Sequence, residues 1–138
     1  GVSLFNRFYQ PDIDLETLHI KPQLELSTPS ESLLRIRWIA LIRGRIDISL
    51  AATGGIHNAD TIIKALLAGA DVTHLCSVLL QYGPGHIATL EKQMTGWLEQ
   101  HEYESVAQMK GSVSRSCAIN PAALEHNNYL DVIKSYEA

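Results

Sequence analysis

The stretch LAATGGIHNADTIIKALLAGADVTHLCS, residues 50–77, reads as an apolar strand, a Gly-Gly turn, an amphipathic helix and a second strand. Ile62, Ile63, Leu66 and Leu67 recur at helical spacing, which predicts a helix with one buried face. Asn58 in front of them is a good N-cap, Asp60 suits the positive end of the helix dipole, and Gly69 can take the left-handed conformation that ends a helix. The flanking runs IDISLAAT (46–53) and VTHLC (72–76) are apolar enough to be strands buried on both sides, as parallel strands covered by helices are. A strand–helix–strand unit of this kind predicts an α/β fold with a parallel sheet and right-handed crossovers.

Working outward, GVSLF at residues 1–5 is a further short apolar run, expected as a buried strand. Because the chain enters directly on it, without methionine, it reads as a truncated piece of a longer protein. Prolines 11, 22 and 29 rule out a long helix through residues 6–31. Connections of that length are lids or carry a small hairpin. Thr28-Pro29-Ser30-Glu31 has the form of a capping box with proline at the first helical position, so a helix is expected to follow. It carries Leu34, Trp38, Ile39, Leu41 and Ile42 and ends at Arg43-Gly44-Arg45. On the other side, residues 78–81 leave room for one extra helical turn. A long helix then begins near Pro84, with Ile87, Leu90, Met94, Trp97 and Leu98 on one face. From Tyr103 the sequence is polar and mixed, with a last helix expected around residues 121–136. The domain reading is therefore residues 1–102 as βα units and 103–138 as a C-terminal extension packing on them.

Composition bounds the function. At 138 residues the chain is a single domain or part of one, and 46% hydrophobic with 19% charged residues is enough apolar material for a packed core. A net charge of -4 gives no basic field for nucleic acid. No apolar run reaches the roughly 18 residues needed to span a bilayer, so no membrane role is expected. Cys76 and Cys117 fit neither a disulfide framework nor the paired spacings of a zinc site, which points to a reducing, cytoplasmic setting. The six histidines form no i, i+4 pair with a carboxylate, and no metal site is expected. His57 follows the Gly-Gly turn and could sit near a phosphate, but is expected as a solvated turn residue. Arg35, Arg37, Arg43 and Arg45 read as a solvated helix face, Trp38 and Trp97 as packing residues on helix faces, and Cys117 as an ordinary loop thiol.

Chemistry is best sought where parallel strands end. Gly54 and Gly55 have no Cβ, so their amides can approach an anion, and the helix after Asn58 adds its positive end. The next strand ends in Cys76-Ser77, whose amides and hydroxyl can face the same ligand. Two successive strand ends gripping one phosphate is a known device of (β/α)₈ barrels.

The strings ATGGI, ADTIIKALLAGADVTHLCSVLL, YGPGHI and YESVAQMKG, in that order and after GVSLFN at the start, resemble the carboxyl-terminal part of the dihydroorotate dehydrogenases, FMN-dependent (β/α)₈ barrels, and most of all the dihydroorotate dehydrogenase-like branch. The likeness covers most of residues 1–110. It implies strands six to eight of a TIM barrel, FMN as cofactor, and oxidation of dihydroorotate or a related dihydropyrimidine as the activity of the full-length protein. Carried over by position, it implies that Thr53, Gly54, Gly55, Cys76 and Ser77 bind the FMN phosphate and that Asn6 contacts the small-molecule substrate. Three departures stand out. Cys76 carries a side chain where glycine is common. Arg7 replaces a small hydroxyl residue, against orotate recognition. Leu26-Ser27-Thr28-Pro29 stands where the family has a glycine-rich loop. The family's catalytic base lies in the barrel's N-terminal half, so no catalytic residue is expected here, neither Cys76 nor Cys117. A second reading is a stand-alone half-barrel without enzymatic activity, a phosphate-binding or assembly module. Three strands leave two open edges, so that reading requires a homodimer.

Overall fold

The computed structural model describes residues 1–7, 10–118, 121–122 and 134. Its centre is a parallel sheet of β1 (Val2–Leu4), β4 (Leu50–Thr53) and β5 (Val72–His74), in the order β1-β4-β5. Val2 lies opposite Leu50 and Leu4 opposite Ala52; on the other side Ala51 faces Val72 and Thr53 faces His74. The connection from β1 to β4 carries a small antiparallel hairpin, β2 (Asp12–Asp14) with β3 (His19–Lys21), and then the helix α1 (Ser32–Ile42). The connection from β4 to β5 is the helix α2 (Ala59–Ala68). The two crossover helices pack against each other and so share one face of the sheet.

Each element has a local cause. The 3₁₀ turn Pro29–Glu31 opens α1 with the expected capping box, in which the Thr28 amide donates to Glu31 Oε1 at 2.9 Å. In α2 the Asn58 side chain accepts from the Thr61 amide at 2.9 Å, and Gly69 ends the helix at φ 114°, where an L side chain is strained. A Cβ on Gly69 would also meet the Arg43 side chain at 2.5 Å. The buried face of α2 is Ile62, Ile63 and Leu66, as its spacing predicts, each contributing about 1.5–3 kcal/mol by leaving water. After β5 come the short α3 (Ser77–Tyr82), in place of the single turn expected there, and α4 (His86–Gln100), which packs on α2 through Leu90 and the half-buried Met94, Trp97 and Leu98. Ile87 is exposed.

Beyond α4, Tyr103 stacks on Trp97 at 5.8 Å, and α5 (Val106–Met109) places Met109 in the core at 0% exposure. The amides of Gly111, Val113 and Arg115 donate to the carbonyls of Leu66, Leu67 and Ala40, binding this segment to both crossover helices. Asp71 ties the amino-terminal end of the sheet together. It accepts from the Leu50 amide at 2.9 Å, from Arg43 at 3.0 Å and from Lys110 at 2.7 Å. The helix expected around 121–136 falls for the most part outside the described residues.

Several expectations are corrected. Of IDISLAAT only residues 50–53 form the strand, because pairing with β1 starts at Val2 opposite Leu50 and leaves Ile46 and Ile48 exposed outside the ladder. VTHLC pairs for three residues and is an edge, with Val72 47% exposed. β1 is the other edge: Leu4 is buried, but Val2 is 39% exposed. Only the central strand is buried along its length, apart from Thr53 at its carboxyl end. Trp38 is exposed on α1, and Arg43 is engaged by Asp71 rather than solvated. Cys117 is exposed in a turn.

Candidate functional site

The carboxyl ends of β4 and β5 open onto a cavity of about 340 Å³. Thr53, Gly54 and Gly55 line it from the end of β4, and Cys76 and Ser77 from the end of β5. The sequence separates these two groups by a whole helix; parallel pairing of β4 with β5 brings them to one end of the sheet. Asn6 is exposed and does not line the cavity, whereas its neighbour Arg7 does. Another wall is residues 23–27, the segment that returns from the hairpin, and Gln10, Ile56, His74 and Leu80 complete the lining.

Gly54 and Gly55 both have positive φ, 86° and 78°. A Cβ on Gly55 would sit 2.4 Å from the amide nitrogen of Ser32, so α1 begins directly against this turn. The need for glycine here is met by packing against α1, in addition to any approach of a ligand. Above Gly54 lies Arg35, whose side chain is only 12% exposed. Its Nε donates to the Thr53 carbonyl at 3.1 Å and its Nη1 to the Glu31 carbonyl, while Nη2 lies 3.5 Å from Glu31 Oε2. Arg35 is therefore a clamp on the turn, not part of a solvated face. Glu31 pairs also with Arg7 at 3.1 Å. Burial pushes the Glu31 carboxyl up, but the Thr28 amide and the two guanidinium groups outweigh it and hold its pKa below the ordinary value.

Residues 23–27 are fixed at two points. Arg7 Nη1 donates to the Glu25 carbonyl. Ser27, 8% exposed, donates from its amide to Ser77 Oγ at 3.1 Å and from its hydroxyl to the same oxygen at 2.9 Å. His57 Nε2 lies 3.0 Å from Ser27 Oγ, and the residue is half-buried, which corrects its reading as a solvated turn residue. Ser27 is a site residue that sequence reasoning missed, and His57 is one that it noted beside the turn but read as solvated. They stand 30 and 50 positions from their partners along the chain, and no periodicity links them. The available signals were that His57 follows the Gly-Gly turn and that Ser27 stands where the family that the chain resembles has a glycine-rich loop.

The charged residues at the wall are Arg7 and Glu25, and the polar ones are Thr53, Ser27 and Ser77 together with Gln10, Gln23, His74 and Cys76. That donor set suits an anion with several oxygens. No group of three or more His, Cys, Asp or Glu able to hold a metal occurs among the described residues. No helix among them is long and apolar enough to cross a membrane.

No family profile matches the sequence. Among curated proteins, the chain is 27% identical over 112 residues to the chloroplastic dihydropyrimidine dehydrogenase (NADP(+)) of Arabidopsis thaliana, covering 72% of this chain and 26% of that protein. It is 26% identical over 86 residues to the catalytic subunit of dihydroorotate dehydrogenase B (NAD(+)) of Thermoplasma volcanium, 62% of this chain and 29% of that one. It is 32% identical over 76 residues to the dihydroorotate dehydrogenase (quinone) of Allorhizobium ampelinum, 54% of this chain and 21% of that one. The chain spans about a quarter of the length of the curated relatives it matches.

Proposed function

We propose that this chain, a relative of the dihydroorotate dehydrogenases, is the phosphate-gripping part of an FMN-dependent oxidoreductase acting on dihydroorotate or a related dihydropyrimidine. In this reading β1, β4 and β5 are strands six to eight of a (β/α)₈ barrel, and barrel units beyond these residues complete the active site. The observation that carries it is the meeting of Thr53, Gly54 and Gly55 with Cys76 and Ser77 at one cavity, at the carboxyl ends of adjacent parallel strands.

FMN fits the lining. The Gly54-Gly55 turn, the Thr53 and Ser77 hydroxyls and the neighbouring amides would hold its phosphate, and α2 directs the positive end of its dipole toward the same end of the sheet. Bound there, the flavin supplies hydride acceptance at N5. The chain's own residues have other tasks. Arg35 and Glu31 hold the turn in shape, and residues 23–27 form one wall of the cavity. The exposed thiol of Cys76 is read as a bystander beside its own amide. Arg7 crowds the place next to Asn6, so the substrate is read as a dihydropyrimidine whose recognition differs from that of orotate.

The test is binding of FMN against riboflavin, which lacks the phosphate, to the full-length protein by fluorescence titration. FMN is expected to bind at least about a hundredfold more tightly, as several charge-assisted hydrogen bonds require. Equal affinities would remove the phosphate assignment. The open edges at Val2 and Val72 favour a second reading, a homodimeric half-barrel that keeps the phosphate grip without catalysis.

A further inference from the structure

Ser27, His57 and Ser77 form a hydrogen-bonded chain whose proton directions follow once the Ser27 hydroxyl donates to Ser77 Oγ. A hydroxyl has one proton to give and two lone pairs to receive with. Ser77 Oγ receives two bonds from Ser27, one from the amide at 3.1 Å and one from the hydroxyl at 2.9 Å. Both its lone pairs are thereby occupied, and what it has left to offer a ligand is its own proton. Ser77 borders the cavity together with Thr53, Gly54 and Gly55. Ser27, having donated its proton to Ser77, faces His57 Nε2 at 3.0 Å as an acceptor, which places the imidazole proton on Nε2.

From this we infer that His57, acting through Ser27, holds the Ser77 hydroxyl as a hydrogen-bond donor to a phosphate monoester in the cavity. The inference rests on the phosphate reading above. His57 and Ser27 are positioning residues: neither needs to touch the ligand. If His57 is lost, Ser27 Oγ loses its donor and its hydroxyl is free to turn, so the Ser77 proton is no longer forced outward. Ser27 is nearly buried, so water does not readily take the place of the missing partner.

The experiment compares FMN and riboflavin binding to the full-length protein and to its Ser27→Ala, His57→Ala and His57→Gln variants, each checked for folding by circular dichroism. Ser27→Ala and His57→Ala are expected to weaken FMN about tenfold, the worth of one well-placed hydrogen bond, and to leave riboflavin unchanged. His57→Gln, whose side-chain amide can also donate to Ser27, is expected to recover most of the FMN affinity. Unchanged FMN binding in His57→Ala overturns the inference, and so does a parallel loss of riboflavin, which marks a merely structural role. A wild-type protein that does not distinguish FMN from riboflavin fails the phosphate reading itself, a result separate from a wild type that discriminates and variants that do so equally well. Nitrogen NMR gives an independent check: His57 is expected as the Nε2–H tautomer, and a proton on Nδ1 alone would reverse the chain.

Discussion

Gly55 carries two demands at once. Its φ of 78° is in the left-handed region, and any Cβ would stand 2.4 Å from the Ser32 nitrogen. Gly55→Ala is expected to lower stability by about 1–3 kcal/mol through backbone strain, and by more if α1 has to move. Chemical denaturation measures it, and a variant as stable as the parent would mean that α1 does not press on the turn. Because the fold itself needs this glycine, flavin loss in Gly55 variants would by itself say little about the phosphate. Ser77, Ser27 and His57 are better probes for that reason. Arg35 makes the same point from the other side. Its sequence context, a basic residue on a helix, gave no sign that its guanidinium would cap the end of β4.

At the scale of elements, the central β4-α2-β5 unit was the most legible. Its helix follows from Asn58, the 3.6-residue apolar spacing and Gly69, which are local signals acting within about twenty residues of each other. The capped start of α1 was legible for the same reason. What was not legible depended on neighbours: the shortness of β5 and its exposure follow from where pairing ends, and the burial of Met109 follows from the tail's bonds to Leu66, Leu67 and Ala40. The site divided in the same way. Thr53, Gly54, Gly55, Cys76 and Ser77 stand at strand ends that the pattern locates, whereas Ser27 and His57 reach theirs across tertiary contacts. The ends of the elements also set a pH dependence. Burial pushes the Asp71 carboxyl up, but Lys110, the Leu50 amide and Arg43 outweigh it and hold its pKa below the ordinary value. A depressed folded-state pKa gives stability that is present above the unfolded pKa and is lost as pH falls through the folded one, here below about pH 4. Asp71→Asn is expected to cost about 2 kcal/mol at neutral pH and to flatten the acid limb of the stability curve. An unchanged limb in an acid titration followed by circular dichroism would place the acid sensitivity elsewhere.

For the whole molecule, the decisive fact is a sheet whose middle strand is covered and whose two outer strands are not. Open parallel edges with Val2 and Val72 exposed, and Leu33, Leu34 and Trp38 exposed on α1, give the described residues considerable apolar surface to cover. The 138-residue chain expressed by itself is expected to self-associate, and sedimentation velocity reads this directly. A persistent monomer at high concentration would count against both the half-barrel reading and the view that these edges seek partners. The strand order β1-β4-β5 has one more consequence, for the path of folding. β4 and β5 meet across one short helix, while β1 must find β4 over a loop of some forty-five residues that includes the hairpin. Closing the longer loop costs more entropy, so β4-α2-β5 is the natural nucleus and β1 docks afterward. Ser27 lies on that same long connection, just ahead of α1, so the cavity wall it forms with Ser77 also assembles after the β4-α2-β5 nucleus.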